Sequence, residues 1–451
     1  MTTALNKLAV DTQSRGLILL TLCLGVLMVQ VDTSVVNLAV HAIGVALHAP
    51  LTSLQWVVDG YNLTYAVLLM SGGILADLFG RRRMLMVGAA VFTIGTLLCG
   101  LAPSTGVLIG GRVIAGTGAA LLLPGTLALI RVIWVEPQQR AHAIGIWAGT
   151  NGAALAIGPT LGGLLIKLAT WRSVFLLIAP IGLAVLWLAP RVIPESSDPH
   201  GRHIDLPGQI FAGLALAGLS MAVIEHGYIA SISAVACGLC LLLFLFVENR
   251  AGQAAMMPLQ LFRNRRFGGA IAVAAAMTFG MYGVLFLLPM VWQMSGTLSV
   301  SWAGVALLPM SLAFIALSHK SGAWSGRFGA RRMMAGGMAL IGCGIGTLSF
   351  TQAGRPLGIA VVGLLLTGIG MALNTGPVLA AAVAAVESSR AGTAAALVNT
   401  ARMVGATLGV AVLGAIYAAG GDAVSGFMAA MRIGAAVVLA GAGIAALTSA
   451  G

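Results

Sequence analysis

Three of the ionisable residues inside long apolar stretches of the sequence, where charged side chains are rare, are candidates for proton chemistry. They are Asp32, Asp59 and Arg112. A charge at the centre of a membrane helix costs about 2.5–3.5 kcal/mol on insertion scales, so such a residue is expected to face other helices rather than lipid. Burial favours the neutral form of a carboxyl group, and a neighbouring guanidinium favours the ionised form. Asp32 is therefore predicted to exchange protons, or to contact a cation, under the influence of Arg112.

Each of these residues also has a plainer structural interpretation. Asp32 could make a structural hydrogen bond near the end of its helix, and backbone carbonyls could satisfy Arg112. Asp59 lies in the run QWVVDGY at positions 55–61. It fits a solvated acid at a helix start and a step in a proton path equally well.

Two segments carry the same pattern of glycine and arginine. Residues 73–83 read GILADLFGRRR, and residues 322–332 read GAWSGRFGARR. The glycines permit a tight turn, Asp77 can face a helix N-terminus or an arginine, and the arginines hold the loop at a membrane face. The second copy has Gly326 in place of the acid, so no gating ion pair is expected there. The repeat indicates two related halves.

A further stretch combines proline with small residues. Gly158, Pro159, Gly162 and Gly163 lie within one apolar run. Proline removes a backbone donor, and small residues let another helix approach closely, as a hinge or a seal between two halves requires. Ordinary glycine-mediated packing is the alternative.

Other chemistries find little support in the sequence. It contains no H-E-x-x-H metal motif and no G-x-x-x-x-G-K-[ST] nucleotide loop, and no stretch between apolar runs is long enough for a soluble catalytic domain. The seven histidines are scattered, and all five cysteines fall within apolar runs. A membrane-embedded enzyme or sensor is therefore disfavoured, and no metal or other cofactor is expected.

The elements that must position these residues are membrane helices. Of the 451 residues, 59% are apolar and 8% are charged, which leaves too little polar surface for a soluble globule of this size. A span needs about 20 apolar residues, and runs of that length recur along the chain. The net charge of +12 comes mostly from arginines between these runs, so it is interpreted as an orientation signal and no nucleic-acid partner is expected.

Fourteen spans are predicted. Their approximate ranges are 16–37, 54–75, 84–102, 106–130, 141–166, 173–190, 206–224, 230–247, 267–292, 300–318, 333–350, 357–385, 393–418 and 425–447. They divide into a six-helix half over 1–190, a segment with two inserted helices over 191–266, and a second six-helix half over 267–451. With this count, the arginines collect on one side of the membrane, so both termini are predicted to be cytoplasmic.

The motifs together carry a family resemblance. The loop at 73–83, the run DTSVVN at 32–37, the run LIGGRVIAGTG at 108–118 and the glycine–proline run at 158–163 resemble the major facilitator superfamily, specifically its fourteen-span drug:proton antiporter branch (EmrB/QacA type). The similarity runs from about position 17 to position 415. Two positions depart from the branch pattern, because Ser34 replaces a usual threonine and Ala115 replaces a frequent glutamine.

The resemblance implies an all-α integral membrane protein of the major facilitator fold that exports hydrophobic drugs or toxic compounds, cationic ones included, in exchange for protons. It assigns proton coupling to Asp32, Arg112 and Asp59, gating to the loop of Gly73, Asp77, Gly80, Arg81 and Arg82, and the antiporter motif to Gly158, Pro159, Gly162 and Gly163. Candidates for a substrate cavity are Asp32, Tyr65, Trp147, Tyr282 and Gln293.

The expected partners are a small-molecule substrate, protons and the lipid bilayer of the inner (cytoplasmic) membrane. The expected state is a monomer, with a periplasmic adaptor as a further candidate partner. Two other transport functions stay open at this point: export of one specific metabolite, and uptake by proton symport.

Overall fold

The computed structural model describes residues 12–199, 205–251, 257–351, 357–387 and 390–448. The secondary structure of these residues is helical throughout, as the long apolar runs predict. In a bilayer no water satisfies backbone N–H and C=O groups, and a helix satisfies them within one segment.

We number the long helices α1 to α14 along the chain. In order, they are Thr12–Leu47, Leu51–Phe79, Arg81–Gly100, Thr105–Ile133, Pro137–Leu168, Arg172–Val192, Leu206–Ile224, Gly227–Ala251, Arg265–Met294, Val300–Ser318, Ala330–Leu348, Leu357–Ala384, Ala391–Ala419 and Ala423–Thr448. Helix α6 is interrupted at Leu177 and α10 at Leu307. A short helix, Ser321–Phe328, connects α10 to α11.

Thirteen of the described helices are long and apolar enough to cross a membrane, one fewer than the sequence predicted. The exception is α11, which forms at the predicted place and has 19 residues. It begins with Arg331 and Arg332 next to several glycines, and these residues lower its hydropathy below that of the other helices.

The helix contacts of the first six helices recur among the last six. Helix α4 packs against α2 and α3, and α1 packs against α5 and α6. In the same way, α12 packs against α10 and α11, and α9 packs against α13 and α14. Helix α11 therefore occupies the place in its group that α3 occupies in the first.

The two groups meet near one end of the bundle, which we call the far end because α1 ends and α2 begins there. Hydrogen bonds between described residues join the groups at this end and toward the middle. Gln55 Nε2 donates to the carbonyls of Val410 and Ala411 at 3.2 and 3.0 Å, linking α2 to α13. Gln293 Nε2 donates to the Leu38 carbonyl at 3.2 Å, linking α9 to α1.

We call the opposite end, where α1 begins, the terminal end. The contact of α5 with α10 continues toward this end as far as Gly152, which lies against Phe314 and Ile315. The first half of α5 is largely exposed, and nothing lies within 4 Å of where a side chain would begin on Gly145 or Gly149. Trp147 attaches this half of α5 to its own group, since its Nε1 donates to Thr126 Oγ1 of α4 at 3.0 Å. The described hydrogen bonds between the two groups thus lie at the far end and in the middle of the bundle.

Helices α7 and α8 form a pair beside the seam between α2 and α13. Helix α7 packs against both of these helices, and α8 packs mainly against α7. Two contacts attach α7 to α2: Trp56 Nε1 donates to Glu225 Oε1 at 3.0 Å, and Gln209 bonds to Ser71 and to the Val67 carbonyl. Most of the α8 surface is exposed, which suits contact with lipid.

Glycines spaced seven residues apart bring α3 and α4 into backbone contact. A side chain on Gly118 of α4 would overlap the backbone of Phe92 and Gly88 on α3, and Gly95 of α3 faces Gly111 of α4 in the same manner. Helices α11 and α12 of the second group pack in the same way, since glycines 337 and 344 of α11 face glycines 370 and 363 of α12. Small residues at such contacts allow the close approach on which membrane helix packing depends.

This packing predicts a large difference between two glycines of α4. We expect Gly118→Val to lower the free energy of unfolding by about 1–3 kcal/mol, because the added atoms must push α3 away. Gly110→Val is the matched control, since nothing lies within 4 Å of its side-chain position. Thermal unfolding of both purified variants in one detergent checks this, and equal losses of stability would contradict it.

Candidate functional site

Asp32 and Arg112 form an ion pair inside the first helix group. Arg112 Nη1 lies 2.5 Å from Asp32 Oδ2, and the two side chains are 1% and 0% exposed. Asp32 comes from α1 and Arg112 from α4, so residues 80 positions apart meet without contact to solvent. The prediction that the two residues act together thus has a geometric basis.

Helix α2 holds the arginine from a second side. Arg112 Nε donates to the Val57 carbonyl at 2.9 Å, and the guanidinium carbon lies 4.3 Å from the centre of the Tyr61 ring. The close approach of α2 to α4 depends on Gly116, whose missing side chain leaves room for the Tyr61 backbone. The guanidinium is thereby held by a carboxylate, a carbonyl and an aromatic face at once.

The pair leaves acceptor and donor capacity unused. Asp32 Oδ1 and the Tyr61 hydroxyl are buried, and neither has a hydrogen-bond partner among the described residues. A carboxylate with one free oxygen can accept a proton without first leaving its arginine. The arrangement can therefore hold Asp32 in either its ionised or its protonated form.

The glycine–proline run of α5 is packed on both sides. On one side, Gly158 and Gly162 leave room for Ser34 and Val35 of α1, which follow Asp32 closely in the chain. The Ser34 hydroxyl also bonds to the Ala154 carbonyl at 3.3 Å. This face of α5 therefore belongs to the same helix contact that carries the ion pair.

The other face of α5 touches α10 of the second helix group. Gly163 lies against Val300 and Ser301, and the Ser301 hydroxyl donates to the Gly163 carbonyl at 3.2 Å. The Pro159 carbonyl sits against Gly304, where no larger residue would fit. The run thus connects the helix that carries Asp32 to the opposite helix group.

Asp59 is fully buried in α2, and the structure does not support a solvated position at the helix start. Its side chain is 0% exposed, and neither carboxyl oxygen has a hydrogen-bond partner among the described residues. It lies one helical turn from Gln55, which bonds to α13, so both residues share a face of α2. No described contact joins Asp59 to Asp32 or Arg112.

The loop at 73–83 is organised by an ion pair and by a residue that the sequence analysis did not single out. Arg81 donates to Asp77 Oδ1 through Nε and Nη2 at 3.0 and 2.8 Å. Glu195, which follows α6, accepts from the backbone N–H groups of Arg82 and Arg83 at 3.0 and 3.2 Å. A carboxylate is favoured at this position because the first N–H groups of a helix are unpaired and carry partial positive charge.

Gly80 is required at this turn for two reasons. Its φ of 107° lies in the left-handed region that favours glycine, and a side chain there would overlap the Glu195 carboxylate. Gly329 repeats the conformation in the second copy of the loop, with a φ of 85°, but nothing lies within 4 Å of its side-chain position. The described part of the second loop thus shares the turn and has no counterpart of Glu195.

The candidate cavity residues do not form one group. Tyr65 of α2 and Tyr282 of α9 are both buried and lie near each other, although they belong to different helix groups. Gln293 instead lines a far-end cleft of about 410 Å³. Trp147 lies on the exposed first half of α5, and Asp32 is enclosed by its arginine. Only the two tyrosines are thus brought together near the middle of the bundle.

Gln55 and Glu195 escaped the sequence analysis as functional residues. Gln55 is the first residue of the run QWVVDGY, but its bond to α13 spans 355 residues and leaves no local trace in the sequence. Glu195 lies in a polar segment after a span, where acidic residues are common. Because it is more than 110 residues from Arg82 and Arg83, no local pattern predicts its contact with them.

Comparisons with known proteins agree with this geometry. The family model described as Major Facilitator Superfamily matches residues 22–410. Multidrug resistance protein Stp of Mycobacterium tuberculosis (strain CDC 1551 / Oshkosh) is 37% identical over 406 residues, covering 88% of this chain and 74% of that protein. Methylenomycin A resistance protein of Bacillus subtilis (strain 168) is 34% identical over 415 residues, covering 90% of this chain and 88% of that protein.

Solved structures give the same fold. A crystal structure of the peptide transporter POT in complex with sulfate superimposes with a TM-score of 0.70 at 13% sequence identity, covering 95% of this chain and 93% of that one. Identity at this level speaks for the fold alone. The helical architecture, the family match and the drug-resistance relatives show that this chain is a multi-pass membrane transporter, not an enzyme, and that it belongs to the Major Facilitator Superfamily.

Proposed function

We propose that this transporter exports hydrophobic drugs or toxic compounds in exchange for protons, as a member of the fourteen-span drug:proton antiporter branch. The observation that carries the proposal is the buried Asp32–Arg112 pair, held against the glycine–proline run of α5. The names of the relatives support drug export, since Stp and the Methylenomycin A protein are both resistance proteins. The position of α11 among its neighbours supports a fourteenth span.

Protons can supply the free energy for such export. One elementary charge crossing the membrane gains about 2.3 kcal/mol per 100 mV of potential. Asp32 would take up a proton from the outer side, and protonation would weaken its attraction to Arg112, which itself stays charged. Asp59 is the second candidate proton carrier, because it is buried without a described counter-charge at the α2–α13 contact.

The proposed orientation places the terminal end of the bundle in the cytoplasm. The arginines of the first loop and of its second copy lie at that end, as expected for cytoplasmic loops of a protein in the inner membrane. In this orientation the contacts at the far end would close the bundle to the outside, and a compound for export would enter from the cytoplasmic side. Opening of the far end would separate α5 from α10 and α2 from α13.

Helix α5 offers a mechanical connection between these events. Its one face follows α1 near Asp32, and its other face seals the far end against α10. A change in the Asp32–Arg112 contact would shift α1 against α5, and thereby alter the seal. Protonation of Asp32 and opening of the far end would then be coupled through the packing of α5 between α1 and α10.

The first test replaces Asp32. We expect Asp32→Asn to reduce proton-gradient-driven export in everted vesicles to the level of vesicles without the protein, while exchange of compound in the absence of a gradient persists, because only the proton step is lost. Asp422→Asn is the matched control, since Asp422 is an exposed carboxylate between α13 and α14. Intact gradient-driven export by Asp32→Asn would contradict the assignment.

A second variant separates coupling from folding. Asp32→Asn leaves a buried arginine without its counter-charge, which costs about 3–5 kcal/mol of stability. The double variant Asp32→Asn with Arg112→Gln removes both charges and is expected to regain most of that stability without regaining gradient-driven export. Thermal unfolding and transport of the same preparations distinguish the two effects. Return of coupled export in the double variant would show that the pair has only a structural role.

The second test fixes the far end. The Gln55 side chain lies against Gly414 across the two helix groups, so cysteines at these two positions would be close neighbours, as a disulfide requires. In a background without the five native cysteines, the pair Gln55→Cys and Gly414→Cys is expected to stop export when oxidised and to release it on reduction, because α2 can no longer leave α13. Each single cysteine variant serves as a control. Undiminished export by the oxidised double variant would exclude opening at this contact.

A further inference from the structure

Arg402 is a second arginine deep within the helices, and its environment differs from that of Arg112. It is the twelfth residue of α13, about 16 Å from the start of that helix at ~1.5 Å per residue, and therefore near the middle of a ~30 Å hydrocarbon core. Arg402 Nη2 donates to the Thr375 carbonyl of α12 at 3.0 Å, and Nη1 lies 3.4 Å from Asn399 Oδ1. Its Nε is buried and has no partner among the described residues.

The second helix group contains no carboxylate that could neutralise Arg402 within the membrane. From position 265 to the end of the sequence the acids are Glu387 and Asp422 alone. Glu387 follows the end of α12, and Asp422 is exposed between α13 and α14. Both lie in connections between helices rather than beside the middle of α13.

The acids of the first helix group are not available either. Asp32 is enclosed by Arg112, and Asp59 is 0% exposed. No carboxylate in the described spans of the two groups is therefore both exposed and unpaired near the centre, so a cationic compound would find no counter-charge there. This distribution of charges therefore favours an anionic or neutral substrate over a cationic one.

Arg402 also cannot become neutral in the way a buried acid can. A guanidinium does not lose its proton in proteins, so its charge persists in every state of the transporter. Arginines inside spans commonly pair with another group or mark the path of a ligand. The side chain keeps a minor exposed part, and the backbone carbonyl of Arg402 is fixed by the Thr278 hydroxyl of α9 at 2.6 Å.

We propose that Arg402 binds the anionic group of the exported compound, a carboxylate, sulfonate or phosphate. This inference rests on the proposed export function and names its substrate class. Tyr282 lies one turn along α9 from Thr278, on the same face. The recognised compound therefore combines the hydrophobic body of the proposed export function with one acidic group.

The experiment uses one fluorophore with three charges: dansylglycine, dansylamide and a dansyl derivative ending in trimethylammonium. Proton-driven export of each is measured in everted vesicles for the wild type, Arg402→Gln and Arg402→Lys. Arg432→Gln is the matched control, because Arg432 is an exposed arginine on α14. We expect the wild type to export the anionic probe best, and Arg402→Gln to reduce that rate about ten- to a hundred-fold while leaving export of the neutral probe unchanged.

The conservative variant and the membrane potential give further readouts. Arg402→Lys should retain part of the anionic export, because it keeps the charge and loses the two-sided hydrogen bonding. Outward movement of an anion and inward movement of a proton carry charge in the same direction, so export of dansylglycine should accelerate with a potassium-diffusion potential negative on the cytoplasmic side. Exchange of a monovalent cation for one proton moves no net charge and would not respond.

Three results would overturn the inference. One is export of the cationic probe in preference to the anionic one, and another is an equal loss of all probes in Arg402→Gln, which would indicate a structural role. The third is failure of all three probes in vesicles that export other compounds under a proton gradient. Vesicles that export no compound at all under a gradient would instead overturn the proposed function, and this inference with it.

Discussion

An apolar medium tolerates a fixed charge only where another group compensates it, and this constraint determines how the first helix group is built. Arg112 remains ionised, so α1 must present Asp32 to it, α2 must present a carbonyl and a ring, and small residues must let these two helices approach α4. The helix contacts follow from that requirement together with the glycine packing of α3. A protonatable group is thus embedded in a closely packed part of the fold.

Because of this close packing, a change in the charge of Asp32 would be expected to shift neighbouring helices rather than single side chains. Interiors packed at crystal-like density respond to a new contact by moving whole elements. Helix α5 is the element in position to move, because its glycines bring one face against α1 and the other against α10. The first half of the same helix is attached to its own group through Trp147. Helix α5 therefore belongs to the first helix group and also contacts the second.

The sequence was sufficient for the fold class and for the residues with local signals. Apolar run length predicted the helices, and the rarity of intramembrane charge pointed to Asp32 and Arg112 before any contact was known. It overestimated the number of apolar spans by one, since a helix with two terminal arginines and many glycines packs well without being strongly apolar. Long-range contacts such as that of Gln55 with α13 could not be predicted, because the residues around Gln55 do not indicate which helix its side chain contacts. The scarcity of acids in the second helix group can be read from the sequence, but the contact of Arg402 with the Thr375 carbonyl cannot.

The placement of α7 makes the transporter asymmetric toward the lipid. Helix α7 is attached to α2 at both of its ends and covers the seam between α2 and α13, whereas no described helix is placed in that way over the seam between α5 and α10. A compound dissolved in the bilayer would thus meet α7 on one flank of the protein, whereas no described helix covers the seam on the other flank. Lateral entry from the bilayer would accordingly be one-sided, although the two helix groups are built alike.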